Sequence, residues 1–133
     1  MVAKYAHMKE YEAQIWDRFL RVMPWSPVRV TYDLRLGIGT VLPPETPEWV
    51  QRMAYSLSTK RVDAVVETRH EVYICEVKQR AGMSALGQLL GYEALYVSQF
   101  KPRRSVVLVL ICEVVEPDME SVYTQYGIQT YLV

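Results

Sequence analysis

The sequence has no long hydrophobic run, which limits how the chain can relate to a membrane. The longest apolar stretch, Val106 to Cys112, is far shorter than the ~20 residues that a transmembrane helix needs. The first residues, MVAKYAHMKEYE, lack the unbroken apolar core of a signal peptide. We therefore expect a protein that does not enter a membrane and that is cytoplasmic, or made in the cytoplasm of a host.

Cysteine is scarce as well. The chain has Cys75 and Cys112, and each lies within an apolar, strand-like run. Neither has a partner at the spacing of a zinc site, and nothing points to a disulfide-stabilised secreted protein. We interpret both as buried thiols that behave as small hydrophobic residues.

An excess of positive charge is also missing. The 15 lysines and arginines balance 15 aspartates and glutamates, so the formal net charge is zero. Proteins that bind nucleic acid on their own are often basic overall, and any positive surface here must come from local clustering. This balance counts mildly against tight, non-specific DNA binding by a monomer.

What the chain does have is apolar content and a clear periodicity. Half of its 133 residues are hydrophobic, which suits one compact domain over residues 1–133 and excludes a disordered chain. Residues 5–23 follow the spacing of an amphipathic helix. Its predicted buried stripe consists of Met8, Tyr11, Ile15, Phe19 and Val22.

The rest of the pattern alternates between strands and helices. Thr46-Pro47-Glu48 marks the start of a second helix, which carries Trp49, Val50, Met53 and Leu57. Strands are predicted over residues 28–36, 61–68, 72–78, 105–114 and 128–133, and further helices over 83–98 and 117–126. The resulting order, α-β-α-β-β-α-β-α-β, predicts an α/β domain with a central mixed sheet flanked by helices.

Three charged residues are expected to meet at one end of the central hairpin. Asp63 stands at the head of an apolar strand, and Glu76 and Lys78 stand at the tail of the next strand. Side chains two apart in a strand share a face, so Glu76 and Lys78 project together. A tight turn between the strands would bring Asp63 beside them.

This combination has a chemical use. Carboxylate oxygens are suitable ligands for Mg²⁺, and a bound ion can stabilise the charge that builds on a phosphodiester during hydrolysis and activate water. A lysine can orient that water or neutralise the transition state. The simpler alternative is a surface hairpin with a salt bridge.

The following helix adds a second pattern. Gln88 and Tyr92 are four residues apart and lie on one helical face. The order Asp63, Glu76-Val77-Lys78 and Gln88-xxx-Tyr92 resembles the PD-(D/E)XK nuclease superfamily, and the last element is similar to its RecB-type branch. The order of helices and strands also resembles the restriction-endonuclease-like core.

The resemblance implies cleavage of nucleic-acid phosphodiesters with Mg²⁺ or Mn²⁺ as cofactor. It implies that Asp63 and Glu76 bind the metal, that Lys78 serves the water, and that Gln88 and Tyr92 support the lysine or hold the substrate backbone. The proline that names the motif is replaced by Val62. Enzymes of the RecB type often carry a histidine ahead of the aspartate. The candidate here, His7, falls at the edge of the first helix's stripe, and its participation stays open.

The family often places another acid on the first helix. At ~100° per residue, Glu12 falls within the apolar stripe, whereas Glu10 and Asp17 fall on the solvated face. A carboxylate on a buried stripe is costly unless it is paired or binds metal. We therefore expect Glu12 to be a third metal ligand in the cleft of Asp63, the alternative being a fringe residue paired with an arginine.

Basic residues flank the helix predicted over residues 83–98 and are candidates for phosphate contacts. They are Arg80, Lys101, Arg103 and Arg104. The alternative is a solvated charge run with no ligand.

The sequence thus predicts a free-standing metal-dependent nuclease, acting on nucleic acid that we expect to be DNA. No appended reader domain is visible, so recognition would follow substrate structure rather than base sequence. Two alternatives remain open: a catalytically silent binding or assembly module, and a nuclease subunit that needs a partner protein. A homodimer is also compatible with the small size of the chain.

Overall fold

The computed structural model describes Tyr5 and residues 7–133 as an α/β domain whose elements follow the predicted order. Its helices and strands are α1 (Glu10–Val22), β1 (Arg29–Leu36), α2 (Glu48–Ser58), β2 (Lys60–Glu67), β3 (Glu71–Ala81), α3 (Met83–Phe100), β4 (Ser105–Val115), a 3₁₀ turn (Pro117–Met119) that leads into α4 (Glu120–Gln125), and β5 (Gln129–Leu132).

The five strands form one mixed sheet in the order β1-β2-β3-β4-β5. β2 is antiparallel to both of its neighbours, whereas β3, β4 and β5 run parallel to one another. The parallel strands β3 and β4 are joined through α3, as a parallel connection requires a crossover. The sheet is therefore an antiparallel hairpin pair extended by a parallel half, and β3 lies at the junction.

Helices cover the two faces of the sheet separately. Residues of α3 pack with Val72 and Ile74 on one face, and residues of α1 pack with Tyr73 and Cys75 on the other. Alternate side chains of β3 thus point into different cores. Among the described residues, no helix is long and apolar enough to cross a membrane.

The first helix differs from its prediction in both start and phase. It begins at Glu10 rather than at residue 5, and its buried residues are Ile15, Trp16 and Phe19. Tyr11 and Val22, which were predicted to be buried, are exposed. The stripe is rotated because the Trp16 indole turns inward, where its Nε1 donates a hydrogen bond to the Tyr32 hydroxyl at 3.0 Å.

The second helix lies outside both cores. No residue of α2 is buried, and Trp49 and Leu57 are 61% and 80% exposed. Its N-cap is Pro47 rather than Thr46, and no side chain caps it. The apolar residues of α2 find no core to enter, because α1 and α3 already cover the two sheet faces.

The start of α3 is fixed by the C-terminal part of the chain. The Tyr123 hydroxyl donates to the Gly82 carbonyl at 2.5 Å, and the Glu116 amide donates to the Ala81 carbonyl at 2.9 Å. A side chain at position 82 would collide with the Glu116 carboxylate. These contacts set where the chain turns from β3 into α3, and so where α3 lies relative to Glu76 and Lys78.

Leu89→Ala should lower the free energy of unfolding by about 2–5 kcal/mol, because this side chain is fully buried between α3 and the sheet. The matched control is Leu57→Ala on α2, which should change it by less than about 0.5 kcal/mol. Urea unfolding followed by circular dichroism measures both. Equal losses in the two variants would mean that α2 packs against the domain.

Candidate active site

The site lies where the hydrogen-bonded ladders of the sheet are interrupted. The pairing of β2 with β3 stops one residue short of Asp63 and Glu76, which the register would place opposite each other. The pairing of β1 with β2 skips Asp33, opposite Asp63. Asp33 has φ 55°, a left-handed conformation that breaks a regular strand. Three acidic residues therefore stand at one level of three adjacent strands, where the sheet is open.

The Asp63 carboxylate fills part of the gap in the ladder. Its Oδ2 accepts a hydrogen bond from the Val77 amide at 2.8 Å, in place of a backbone carbonyl. Its Oδ1 lies 3.5 Å from Nε2 of His7, whose side chain is almost fully buried. This second contact is an ion pair rather than a well-aligned hydrogen bond, since Nε2 has no partner of good geometry. Both contacts hold Asp63 in one orientation.

The proximity of Asp63 changes the ionisation of His7. The close contact with the Asp63 carboxylate raises the pKa of the imidazole, against the opposing effect of burial, and the charges of Asp63 and Asp33 act in the same direction. A cationic His7 would offset part of the negative charge that the acidic residues bring together.

Glu76 is buried with an incomplete set of partners. The residue is 4% exposed. Its Oε2 lies 3.4 Å from the Lys78 ammonium, and its Oε1 has no hydrogen-bond partner among the described residues. Burial raises the pKa of the Glu76 carboxyl to about 9; the charge and hydrogen bond of Asp63 add to the shift, and Lys78 opposes it. At neutral pH and without a metal, Glu76 therefore holds a proton.

The α3 helix presents Gln88 and Tyr92 to this region. Tyr92 is buried, and the pKa of its hydroxyl is raised by burial and then by the charges of Glu76 and Asp63, while a hydrogen bond with Gln88 opposes the shift. The Gln88 Oε1 is buried without a partner in the part of the chain that the structure describes. Tyr92 therefore faces the carboxylates with Gln88 beside it, and among the described residues neither is hydrogen-bonded to Lys78.

A cleft of about 640 Å³ lies between the start of β2 and α3, and of the predicted site residues Gln88 and Tyr92 line it. One wall is formed by Thr59, Lys60 and Arg61, and the other by Ser84, Gly87, Gln88, Gly91, Tyr92 and Leu95. Another depression, of about 460 Å³, lies against α2. It contains none of the predicted site residues, and we therefore associate the chemistry with the first cleft.

Glu12 does not lie where it was predicted. The Glu12 Oε1 accepts a hydrogen bond from the Lys9 amide at 3.0 Å. Because α1 begins at Glu10, Glu12 belongs to the first turn, where an acid commonly folds back onto the N-cap amide. Its carboxylate is used to start the helix, and the prediction of a third metal ligand in the cleft is wrong.

Two carboxylates remain as candidate ligands. Over Tyr5 and residues 7–133, no group of three or more His, Cys, Asp or Glu side chains is arranged to hold a metal ion. Mg²⁺ nevertheless commonly uses one or two carboxylates and completes its shell with water and substrate phosphates. Asp63 and Glu76 fit this pattern, since they lie in contact and the buried Glu76 Oε1 is an acceptor without a donor.

The predicted basic residues are not gathered at the carboxylates. Arg104 forms an ion pair with Glu67 at 2.6 Å and donates to the Thr68 carbonyl, which ties it to the far end of the hairpin. Lys101 and Arg103 are exposed near the same end. Arg80 is closer to the site along β3, where its Nε lies 3.9 Å from the Glu116 carboxylate. Contact of these residues with nucleic acid stays a prediction.

Sequence reasoning missed Asp33 and Arg61. The Arg61 guanidinium bonds the Asp33 carboxylate through Nε at 2.6 Å and Nη2 at 3.0 Å. The sequence carries no clear signal for either residue, because Asp33 occupies a regular polar position of an alternating strand. The left-handed backbone at Asp33 has no counterpart in the periodicity.

Comparison with family models, curated proteins and solved structures finds nothing that matches this chain. The interpretation of the site therefore depends on its own geometry, in which Asp63, Glu76 and Lys78 converge beside Gln88 and Tyr92.

Without divalent metal, the protein should become less stable as the pH rises from about 5 to about 9. The pKa of Glu76 is about 9 in the folded state against an ordinary value of 4.5. Between these values the unfolded chain releases the Glu76 proton while the folded chain keeps it. The contribution of this group to the free energy of unfolding is therefore complete at low pH and is lost as the pH rises. Glu76→Gln should flatten this slope and melt above the wild type at pH 8. Thermal melts in EDTA across this range measure it, and parallel slopes for both proteins would contradict the expectation.

Glu12→Ala should lower the free energy of unfolding by about 0.5–2 kcal/mol, because it removes the hydrogen bond to the Lys9 amide. It should leave any stabilisation by Mg²⁺ unchanged. Thermal melts with and without Mg²⁺ separate the two roles. A variant that melts like the wild type in EDTA, but no longer responds to Mg²⁺, would restore Glu12 as a ligand.

Proposed function

We propose that the chain is a Mg²⁺-dependent nuclease that hydrolyses phosphodiester bonds of nucleic acid, which we expect to be DNA. The observation that carries the proposal is the contact between Asp63 and Glu76 at the open point of the sheet, with the Lys78 ammonium 3.4 Å from Glu76. We further propose that the α/β domain is a restriction-endonuclease-like core.

The contact between the two acids does not itself favour folding. Burying a carboxylate beside another carboxylate opposes folding unless a cation compensates, and Lys78 lowers the pKa of Glu76 without returning it to its ordinary range. Strongly perturbed groups that cluster beside a cleft are characteristic of functional sites. A bound divalent cation would turn this unfavourable contact into a favourable one.

The side chains of the site divide the work of hydrolysis. Asp63 and Glu76 would hold the ion; His7 and the Val77 amide keep Asp63 in place. When bound, Mg²⁺ supplies positive charge to the phosphate oxygens and makes its water more acidic. Lys78, anchored by Glu76, is placed to orient the attacking water or to neutralise charge that develops on the phosphate.

The arrangement of elements supports the same proposal. The two candidate ligands lie on β2 and β3, and Gln88 and Tyr92 face them from α3. This is the placement that the resemblance to the RecB-type branch implies. His7, ahead of the aspartate in the chain, contacts Asp63, and this adds a feature that the motifs alone left open.

A nuclease subunit that requires a partner is the second candidate. The net charge is zero and Arg104 is held in an internal ion pair, so the chain has no excess of positive charge with which to grip a duplex. A partner protein or a second copy would then supply the remaining phosphate contacts.

Glu76→Ala, Lys78→Ala and Asp63→Asn should each lower the rate of cleavage at least about a hundredfold, because each removes a group that acts on the transition state. Asparagine at 63 keeps an oxygen for the Val77 amide. Glu10→Gln, an exposed acid on α1, is the matched control and should cleave like the wild type. The assay uses single-stranded, duplex, flapped and junction DNA with Mg²⁺ or Mn²⁺, with folding checked by circular dichroism.

Mg²⁺ or Mn²⁺ should raise the melting temperature of the wild type at pH 8 and have little effect on Asp63→Asn, since a ligand that binds the folded state stabilises it. A protein that neither cuts nucleic acid nor responds to either metal would be a silent module. A protein that binds metal but cuts nothing would be the partner-dependent subunit.

A further inference from the structure

Arg61 is held in a fixed position at the entrance to the site. Its guanidinium makes two hydrogen bonds to the Asp33 carboxylate, at 2.6 and 3.0 Å. An arginine has five N–H donors, so the edge that carries Nη1 is left available. No further hydrogen bond of Arg61 is found among the described residues. The ion pair therefore orients the Arg61 guanidinium and leaves part of its hydrogen-bonding capacity for a ligand.

The residue that makes this ion pair, Asp33, has a strained, left-handed backbone. Its φ of 55° costs a non-glycine residue of order 1 kcal/mol or more, and such strain persists where the surroundings impose it. A regular strand would have continued the β1–β2 ladder through this residue. Asp33 is instead unpaired in the ladder, and its carboxylate binds Arg61.

Arg61 also lines the cleft whose wall includes Tyr92, the residue of α3 that faces the carboxylates. It stands on the β2 wall with Lys60, and across the cleft α3 presents Gly87 and Gly91. A Cβ built on either glycine meets no atom within 4 Å, so no neighbour explains the missing side chains. Asp63 is two residues from Arg61 along β2, and its charge acts on the guanidinium. Arg61 therefore stands on the cleft wall next to the acidic end of the site.

We propose that Arg61, oriented by Asp33, binds a phosphate of a single nucleic-acid strand that lies between β2 and α3, next to the phosphate that is cut. The inference rests on the proposed nuclease function and names the strand-binding contact of that same site. Arg61 is the phosphate-binding group, and Asp33 is a positioning residue that acts through it.

A phosphate fits this position better than a carboxylate or a neutral ligand. The free edge of a guanidinium matches two phosphate oxygens, and the acidic residues beyond it would repel an isolated anion. A nucleic-acid strand presents phosphates at regular intervals, so that one can meet Arg61 while the next meets the metal-binding carboxylates. Arg61 and the neighbouring metal-binding carboxylates together suit an extended polyanion better than a single anion.

The first experiment measures binding without cleavage. A fluorescently labelled single-stranded oligonucleotide is titrated with the protein in EDTA, at several salt concentrations. Arg61→Ala should raise the dissociation constant about tenfold or more and should reduce the slope of log K against log salt by about 0.7. Arg61→Lys keeps the charge but loses the planar guanidinium that can donate two hydrogen bonds to one phosphate, so it should bind less well than the wild type.

Arg52→Ala is the matched control. Arg52 also forms an ion pair, with Glu48 at 2.7 Å, but it lies on α2 outside the cleft. This variant should bind the strand like the wild type, with the same salt slope.

Asp33→Asn tests the positioning role by the direction of its effect. Asparagine tolerates the left-handed backbone, and the substitution removes one negative charge beside the strand. Charge alone would therefore tighten binding. If Asp33 orients Arg61, the dissociation constant should instead rise about two- to tenfold, because the guanidinium must be ordered on binding.

The outcomes separate this inference from the nuclease proposal. Failure of the wild type to bind the strand, or equal dissociation constants for the wild type and Arg61→Ala, overturns the inference even if cleavage is observed. Tighter binding by Asp33→Asn overturns the positioning role. Loss of binding in Arg61→Ala, in a protein that cuts nothing with Mg²⁺ or Mn²⁺, upholds the strand contact and rejects a nuclease that acts on its own.

Discussion

Two carboxylates that touch in a buried place dominate the electrostatics of this domain. Glu76 is nearly inaccessible to water, and Asp63 lies against it. The surrounding groups respond to that contact: Lys78 pairs with Glu76, His7 with Asp63, and Arg61 with the third acid at the same level, Asp33. The pairing of the strands is interrupted at the same level.

The part of the fold that follows from strand periodicity could be predicted from the sequence. Alternation placed Glu76 and Lys78 on one face, and the short turn after β2 brought Asp63 beside them. Helical spacing placed Gln88 and Tyr92 together on α3. These predictions held because each depends on a local period and on one short connection, so errors of a residue at the element ends did not change which side chains meet.

What failed depends on exact helix starts and on tertiary contacts. The predicted role of Glu12 assumed that α1 begins five residues earlier, and the true start at Glu10 makes Glu12 a capping residue. The apolar residues of α2 were predicted correctly as helical, but amphipathic spacing does not reveal that both sheet faces are already covered. The strained backbone at Asp33 and its bond to Arg61 arise from strand pairing, which periodicity does not encode.

The hydrogen bond from the Val77 amide to Asp63 gives one residue two separable duties. One duty is architectural, because the side chain stands in for a missing carbonyl of the ladder. The other depends on its negative charge. Asparagine can perform the first and not the second, so in descent this position can lose its charge in a single step while the sheet stays intact. The architecture of the sheet can therefore persist in a descendant in which residue 63 has lost its negative charge, and that descendant could serve a different use.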